Sequence, residues 1–525
     1  MAGFWSMVGL VFKSIFTTGE MVEDGSVPAD MSGERIEPCL YAIAHFVPED
    51  PSGTPLPDQA GDWLKRTLSD IPDTAAVTLG RHVAISSDIA DAFQAAREAH
   101  AGVLNLARRQ DATAVFWGQA NPDTGGLDVH FSNDLLVSPL YELLLPLVHS
   151  FRQPQHKDTA AALHILLTCE LLARARGHDQ RALQVARLTS HLEDLQERIN
   201  NGENFADVGQ GVTTAYAFGA VMLAETGERS YCISAIRAIE PIVREFLTLA
   251  AEPPKEVKKA KQPAGLLHER VTQQQAVETV IKTEDMLRGI GDLALINPER
   301  SAVLALYGTL LNWSMASNMN ARSGATAIGL WKLLERRFEL MAGTPVSRAI
   351  AIGKLGEAMM IHAREIEDIE MVQTASGHYR RALGLVNAKA HTVLYAQIAY
   401  GLAESVVAQS SIDSIGVPAE QVIPVFQAAL KVCSRRDHPY LWGRAMFALG
   451  SVQFSTGAAE KDIKLISQAR MNFSQAYEAF DEAAARGAAR AASGSFTRAE
   501  NMLHQLAQRQ SVIDATGGAG EAKAS

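Results

Sequence analysis

PYLWGRAMFALGSVQFSTGAAEKDIKLISQARMNFSQA, residues 439–476, decides the fold, because its pattern has already occurred twice upstream. Leu449 followed by Gly450 repeats Leu402–Ala403 and Leu355–Gly356, each pair 47 residues before the next. The same step joins Tyr379, Phe426 and Phe473, and again Ala382, Ala429 and Ala476. Pro345 and Pro439 open two copies, with Thr392 between them. With aromatics at 6% of the chain, an aromatic column recurs twice by chance only about 0.4% of the time. A fixed period of this length is the signature of stacked helix pairs. A weaker fourth copy begins at Pro298, with Gly308 one residue out of register.

The second half of each copy reads Ala375-x3-Tyr379-x2-Ala382, Val422-x3-Phe426-x2-Ala429 and Ala469-x3-Phe473-x2-Ala476. Together with the Leu-small pair, this resembles the tetratricopeptide repeat. In that family small residues let two helices approach closely and the aromatic fills the space between repeats. The family's unit is 34 residues, so each copy here carries about seven extra between its helices and about six between copies. HEAT-like helix pairs have a similar period, and that label stays open. The resemblance covers 345–482 well and 298–344 weakly, and reaches the helices at 156–250 by analogy.

The resemblance implies that the first helix of each copy lines a groove. By register, one column holds Gly353, Tyr400 and Phe447, and a second Met360, Val407 and Phe454. A third holds Ile350, Gln397 and Arg444, and a fourth Glu357, Glu404 and Ser451. Such a strip, apolar and aromatic with mixed charge, would suit an apolar or amphipathic partner helix. The competing reading is that several of these residues bury against the next copy.

Outward from the repeats, the expected fold class is mainly α, an α-solenoid preceded by a small α/β domain and an N-terminal amphipathic helix. Residues 1–18 form the amphipathic unit, 19–36 a linker and 37–135 the α/β domain. A helical segment follows over 138–250, a basic linker over 251–265, the solenoid over 266–510 and a disordered tail over 511–525. In the α/β domain the spacing predicts strands at 39–47, 75–85, 112–118 and 127–131, and helices at 58–68 and 88–109. Asn121-Pro122-Asp123-Thr124-Gly125-Gly126 has hairpin-turn chemistry. This order and Phe116-Trp117-Gly118 resemble the N-terminal α/β domains of bacterial envelope proteins such as TolB. Beyond Leu140 no strand is expected, and helices are read at 156–176, 181–199, 205–225 and 230–249.

At the start, Phe4, Trp5, Met7, Val8, Val11, Phe12, Ile15 and Phe16 recur at helical spacing. Three readings stay open: a membrane-surface helix, a plug for a groove, and a cap on a domain core. Acidic Glu20, Glu23 and Asp24 weigh against anionic lipid.

Composition bounds the rest. The net charge of -11 argues against a general nucleic-acid binder. Cys39, Cys169, Cys232 and Cys433 form no Cys-x-x-Cys pair, so buried free thiols are expected rather than disulfides or zinc. No run approaches ~20 apolar residues, and no secretory signal is read, so the expected location is the cytoplasm, with attachment to the inner face of a bacterial membrane as an option. No P-loop, HExxH or Gly-x-Ser-x-Gly motif occurs. His362 and Glu365 are one turn apart, and a solvated helix face is expected there rather than a metal pair. His164, near Cys169 and Glu170, reads as helix packing. The expectation is a non-enzymatic interaction scaffold with no cofactor and no metal, its oligomeric state unspecified. The alternative is a regulator whose α/β domain binds a small ligand and signals through the solenoid.

Overall fold

The computed structural model describes residues 39–47, 58–85, 92–121, 123–133, 139–250, 298–316, 322–341, 344–412 and 419–521. The amphipathic segment at 1–18, the linker at 19–36 and the basic linker at 251–265 lie outside them. The chain divides into two compact units. One comprises residues 19–175 and 182–358, and the other gathers the remaining described residues, 176–181 and 359–521.

The first unit opens with strand β1 (Cys39–His45), helix α1 (Gln59–Leu68), β2 (Thr74–His82), α2 (Ala92–Arg108), β3 (Ala114–Ala120) and β4 (Leu127–Asn133). A single-turn α3 (Tyr141–Leu144) and β5 (His149–Phe151) complete the sheet. Its order is β2-β1-β3-β4-β5, with β1 parallel to β2 and β3, and β4 antiparallel to β3 and β5. Stepping outward to β2 and back over β1 to β3 with right-handed crossovers puts α1 and α2 on opposite faces. Ala42, Ala44, Val115 and Trp117 pack with Val103 and Ala107 of α2. Tyr41 and Phe116 meet edge-to-face at 6.1 Å, on the other side of the pleat. Asp58 caps α1, its carboxylate accepting from Gly61 N at 2.9 Å. Gly118 sits at φ +150 where a side chain would run into the Asp128 carbonyl of the neighbouring strand.

Four helices follow: α4 (Lys157–Arg174), α5 (His178–Asn200), α6 (Gln210–Glu225) and α7 (Cys232–Ala250). Next come α8 (Pro298–Ala316), α9 (Arg322–Leu340), α10 (Pro345–Ile366), α11 (Ile369–Leu383) and α12 (Thr392–Ile412). The last are α13 (Ala419–Val432), α14 (Pro439–Glu460), α15 (Ile463–Glu482) and α16 (Arg486–Glu521). The six β and α elements expected over 37–135 are present. Their ends shift by a few residues, and two features elsewhere depart from the sequence reading. Residues 149–151 add a fifth strand beyond Leu140, and α16 runs to Glu521, through most of the 511–525 stretch where a disordered tail was expected.

The mainly helical remainder is periodic. Helices α8, α10, α12, α14 and α16 begin at 298, 345, 392, 439 and 486, each 47 residues after the last. In the second unit α11 packs on α12, α12 on α13, α13 on α14, α14 on α15 and α15 on α16. The pairs α12–α14 and α14–α16 also touch. All four cysteines are buried and unpaired. No helix among the described residues is long and apolar enough to cross a membrane.

The closest approach explains why small residues recur. Along α14, Gly443, Gly450 and Gly457 come every seven residues and face Phe480, Phe473 and Ile466 of α15, also every seven. A Cβ on Gly450 would stand 3.0 Å from the Phe473 ring, and one on Gly457 2.9 Å from Ile466. The aromatic knob therefore occupies the volume that the absent side chain leaves. Forty-seven residues earlier the same column reads Ala396, Ala403 and Ser410, and before that Ala349, Gly356 and Ala363. In α8 it reads Ala302, Thr309 and Ala316. Gly308 lies against Trp331 of α9, at 2.9 Å from a built Cβ, so its one-residue shift is matched by the aromatic. In α16 the column becomes Arg490, Thr497 and His504, all exposed.

Candidate functional site

Helices α12 and α14 bear most of the residues that register places on a groove. Each is nearly free of charge: Glu404 is the single charged residue of α12, and α14 holds Arg444 and the terminal Glu460. Helices apolar all round bury on every side, and a lone charge inside one must find a partner. Tyr400 donates from its hydroxyl to Glu404 Oε1 at 2.6 Å, and the Arg444 guanidinium lies over the Tyr400 ring, 4.6 Å from its centroid. Three residues from two copies thus form one cluster, with Tyr400 5% and Glu404 8% exposed. Burial, then the neighbouring Glu404 charge, push the Tyr400 phenol up, and Arg444 pulls the other way. The phenol therefore stays protonated and acts as donor. Removing the Tyr400 hydroxyl leaves the Glu404 carboxylate without this donor, at a cost of about 1–3 kcal/mol.

The remaining predicted positions separate. Val407 packs with Ala403, Phe426 and Val452 in the core between copies. Phe447 is fully buried, its ring 5.4 Å from Phe473 and 6.5 Å from Phe480. Met360 and Ile350 are buried as well. Register identifies equivalent residues but not the side each faces, and long first helices of 21 and 22 residues turn these columns toward their neighbours. Gln397, Arg444 and Phe454 keep part of their surface, with Phe454 6.5 Å from Phe473 at the edge of the core. In the first unit the matching Glu357 accepts from Lys354 Nζ at 2.9 Å and from Asn312 Nδ2 at 3.2 Å. Gly353 beside them is half-buried, and Ser451 turns its hydroxyl to the Phe447 carbonyl at 2.8 Å.

The helical register gave no hint of Arg181. It is 7% exposed and donates to the Glu482 carbonyl at 3.0 Å and the Arg436 carbonyl at 3.2 Å. A cation there meets the carbonyl end of α15, where the helix dipole favours it. Long-range contacts of this kind leave no periodic trace in a sequence.

His362 lies on α10 and His164 on α4. His362 Nδ1 is 3.8 Å from Glu365 Oε2, and no group of metal ligands forms among the described residues. His164 Nε2 donates to the Thr67 carbonyl at 2.9 Å, a packing contact between α4 and the end of α1.

The α/β layer holds a sealed polar network. Trp117 Nε1 donates to Ser132 Oγ at 2.8 Å, and Ser132 Oγ is hydrogen-bonded to His100 Nδ1 at 2.5 Å. The Trp117 and His130 rings stack at 4.3 Å. His149 Nδ1 faces Thr214 Oγ1 at 2.9 Å, whose hydroxyl in turn donates to the Gln210 carbonyl. Burial drives the three imidazoles down, to about 3 for His100, about 4 for His130 and about 3 for His149. Ser132 and His100 are 1% and 2% exposed, which places this serine–histidine pair in the packing. No protein-family model matches the sequence, and no curated protein aligns with it.

Proposed function

We propose that this chain is a non-enzymatic interaction scaffold, an α-solenoid of elongated tetratricopeptide-like helix pairs that holds a partner protein by an apolar or amphipathic helix. The observation that supports this reading is the train of five helix starts at a constant 47-residue step, four of them with small residues at the same column, which in α14 packs against the following helix. Arrays of this kind act through extended surfaces rather than single pockets. The strip with accessible surface, Gln397, Arg444 and Phe454, is the proposed contact edge. Phe454 supplies an aromatic anchor and Arg444 a cation, the residue types that dominate interface energetics. Attachment to a membrane surface through residues 1–18 belongs to the same proposal.

Site-specific photocrosslinking tests it. A photoreactive phenylalanine at 454 or 397 should capture a discrete protein in cells, and the same probe at Lys464, on the exposed side of α15, should not. Arg444→Ala should weaken the capture at least tenfold. No adduct at 454 or 397, or equal adducts at all three positions, would overturn the scaffold reading. For the membrane part, vesicle co-sedimentation of the full chain and of a chain starting at Met21 decides. Equal pelleting of the two rejects the anchor.

A further inference from the structure

The sheet of the first unit ends in two unlike edges. β5 is three residues long, while β2 is nine. None of the nine residues of β2 is buried, and among the described residues it pairs with β1 alone. Its ladder to β1 is regular from Thr74 to Thr78 and then breaks, with Ile43 opposite Thr78 but His45 opposite His82. Gly80, at φ +63, takes up the bulge. A long edge strand presents a row of main-chain donors and acceptors that invites another strand, and soluble proteins normally protect it with lysine, proline or an inward charge. Thr74-Ala75-Ala76-Val77-Thr78 carries none of these.

We propose that β2 is a homodimer interface, in which the Thr74–Thr78 segments of two copies pair antiparallel about a two-fold axis at Ala76 and join two five-stranded sheets into one. The sequence of the edge is complementary to itself. In this register Thr74 faces Thr78, a favourable cross-strand pair, and Ala75 faces Val77. The short side chains let the two strands meet without covering bulk. Asp73 before the segment and exposed Arg81 after it have opposite charge, and the two-fold brings each toward the other at both ends. Asp73 already holds Arg187 at 3.2 Å, so Arg81 would join an existing ion pair. The bulge at Gly80 confines the pairing to five residues, and the short β5 edges stop the joined sheet from growing further. An isologous contact of this kind closes at two copies. The inference concerns the α/β unit and does not depend on the scaffold reading.

The interface is small, so the full chain should be followed by sedimentation equilibrium from about 1 to 100 µM. The weight-average mass should climb from 56.7 kDa toward twice that value. Thr78→Lys, a charge on the edge, should weaken dimerisation at least tenfold and leave the circular dichroism and melting temperature unchanged. Arg81→Asp, which sets like charges at both ends, should weaken it less. Ala76→Cys should form a disulfide-linked dimer with a copper–phenanthroline oxidant, since cross-strand Cβ atoms lie about 4.5–5.5 Å apart. Thr374→Cys, on the exposed side of α11, should not. A chain that stays at 56.7 kDa throughout overturns the proposal. So does a dimer that Thr78→Lys leaves intact, or a monomer whose β2 amides resist hydrogen exchange because another part of the chain covers them.

Discussion

The α/β layer and the α14–α15 pair both bury a helix against a neighbour, and they do it with different chemistry. In the layer, α2 meets the sheet through a chain of hydrogen bonds, Trp117 to Ser132 to His100, with His130 stacked beside it. In the pair, three glycines receive two phenylalanines and an isoleucine, and the side-chain hydrogen bonds beside them, Asn472 Nδ2 to Gln453 Oε1 at 2.6 Å and Gln453 Nε2 to Gln468 Oε1 at 3.4 Å, involve no titrating group. A hydrogen-bonded core has one correct arrangement and titrates. A seam made by shape is indifferent to pH and sensitive to single methyl groups.

Acid should therefore separate them, and this is the largest effect expected. His100, His130 and His149 are held neutral, with values of about 3, 4 and 3 against about 6.5 in an unfolded chain. The unfolded state binds more protons below pH 6.5, so stability is complete above that value. It is lost as pH falls from about 6.5 toward about 3. At pH 5 each histidine should remove on the order of 2 kcal/mol, and the three together on the order of 6 kcal/mol. Burial lowers His191, in the same unit, in the same sense, to about 4. Hydrogen exchange at pH 7 and pH 5 checks this: protection in β4 and β5 should drop more than that in α14 and α15, where burial lowers His438 at the N-cap of α14. Equal losses in both regions would mean that acid acts on the whole molecule.

Phe473→Ala turns the comparison round. It empties the volume against Gly450 and should cost about 3–5 kcal/mol in urea denaturation. Gly450→Thr overfills the same place and should cost about 1–3 kcal/mol, because Phe473 must leave its position. Both losses should be the same at pH 7 and pH 5, since no titrating group lines the seam. A loss that grows with acid would show that the seam depends on charge after all.

The same contrast explains what could be read from the sequence. A seam of shape repeats, so Leu449–Gly450 and the Phe473 column betray it through periodicity alone. The heptad of Gly443, Gly450 and Gly457 was there to be found as well, but it becomes meaningful only when Phe480 and Ile466 are seen opposite. The histidine network does not repeat. His100, His130 and His149 come from α2, β4 and β5, and β5 has three residues, too few for an alternating pattern. The groove columns fall between these cases. Period made Tyr400 and Phe447 equivalent, yet Tyr400 meets Arg444 of the next copy while Phe447 turns to Phe473 and Phe480. Equivalence along the chain does not fix which neighbour a side chain faces.

The fifth helix sharpens the comparison with the smallest effect. Thr497 of α16 occupies the column of Gly356, Ala403 and Gly450, but it is exposed, and its hydroxyl reaches only the Ser493 carbonyl one turn back, at 3.2 Å. Arg490 and His504 flank it on the same exposed side. A repeat helix face that no neighbour covers is expected to be polar. Among the described residues α16 is followed by no second helix, so a side chain at 497 meets solvent where one at 450 meets Phe473. Thr497→Ala should then do nothing but improve helix propensity, raising stability by a few tenths of a kcal/mol. The same urea titration that reports Gly450→Thr reads it. A destabilisation above about 1 kcal/mol would mean that this face is packed, and that α16 is an interior member of the array rather than its cap.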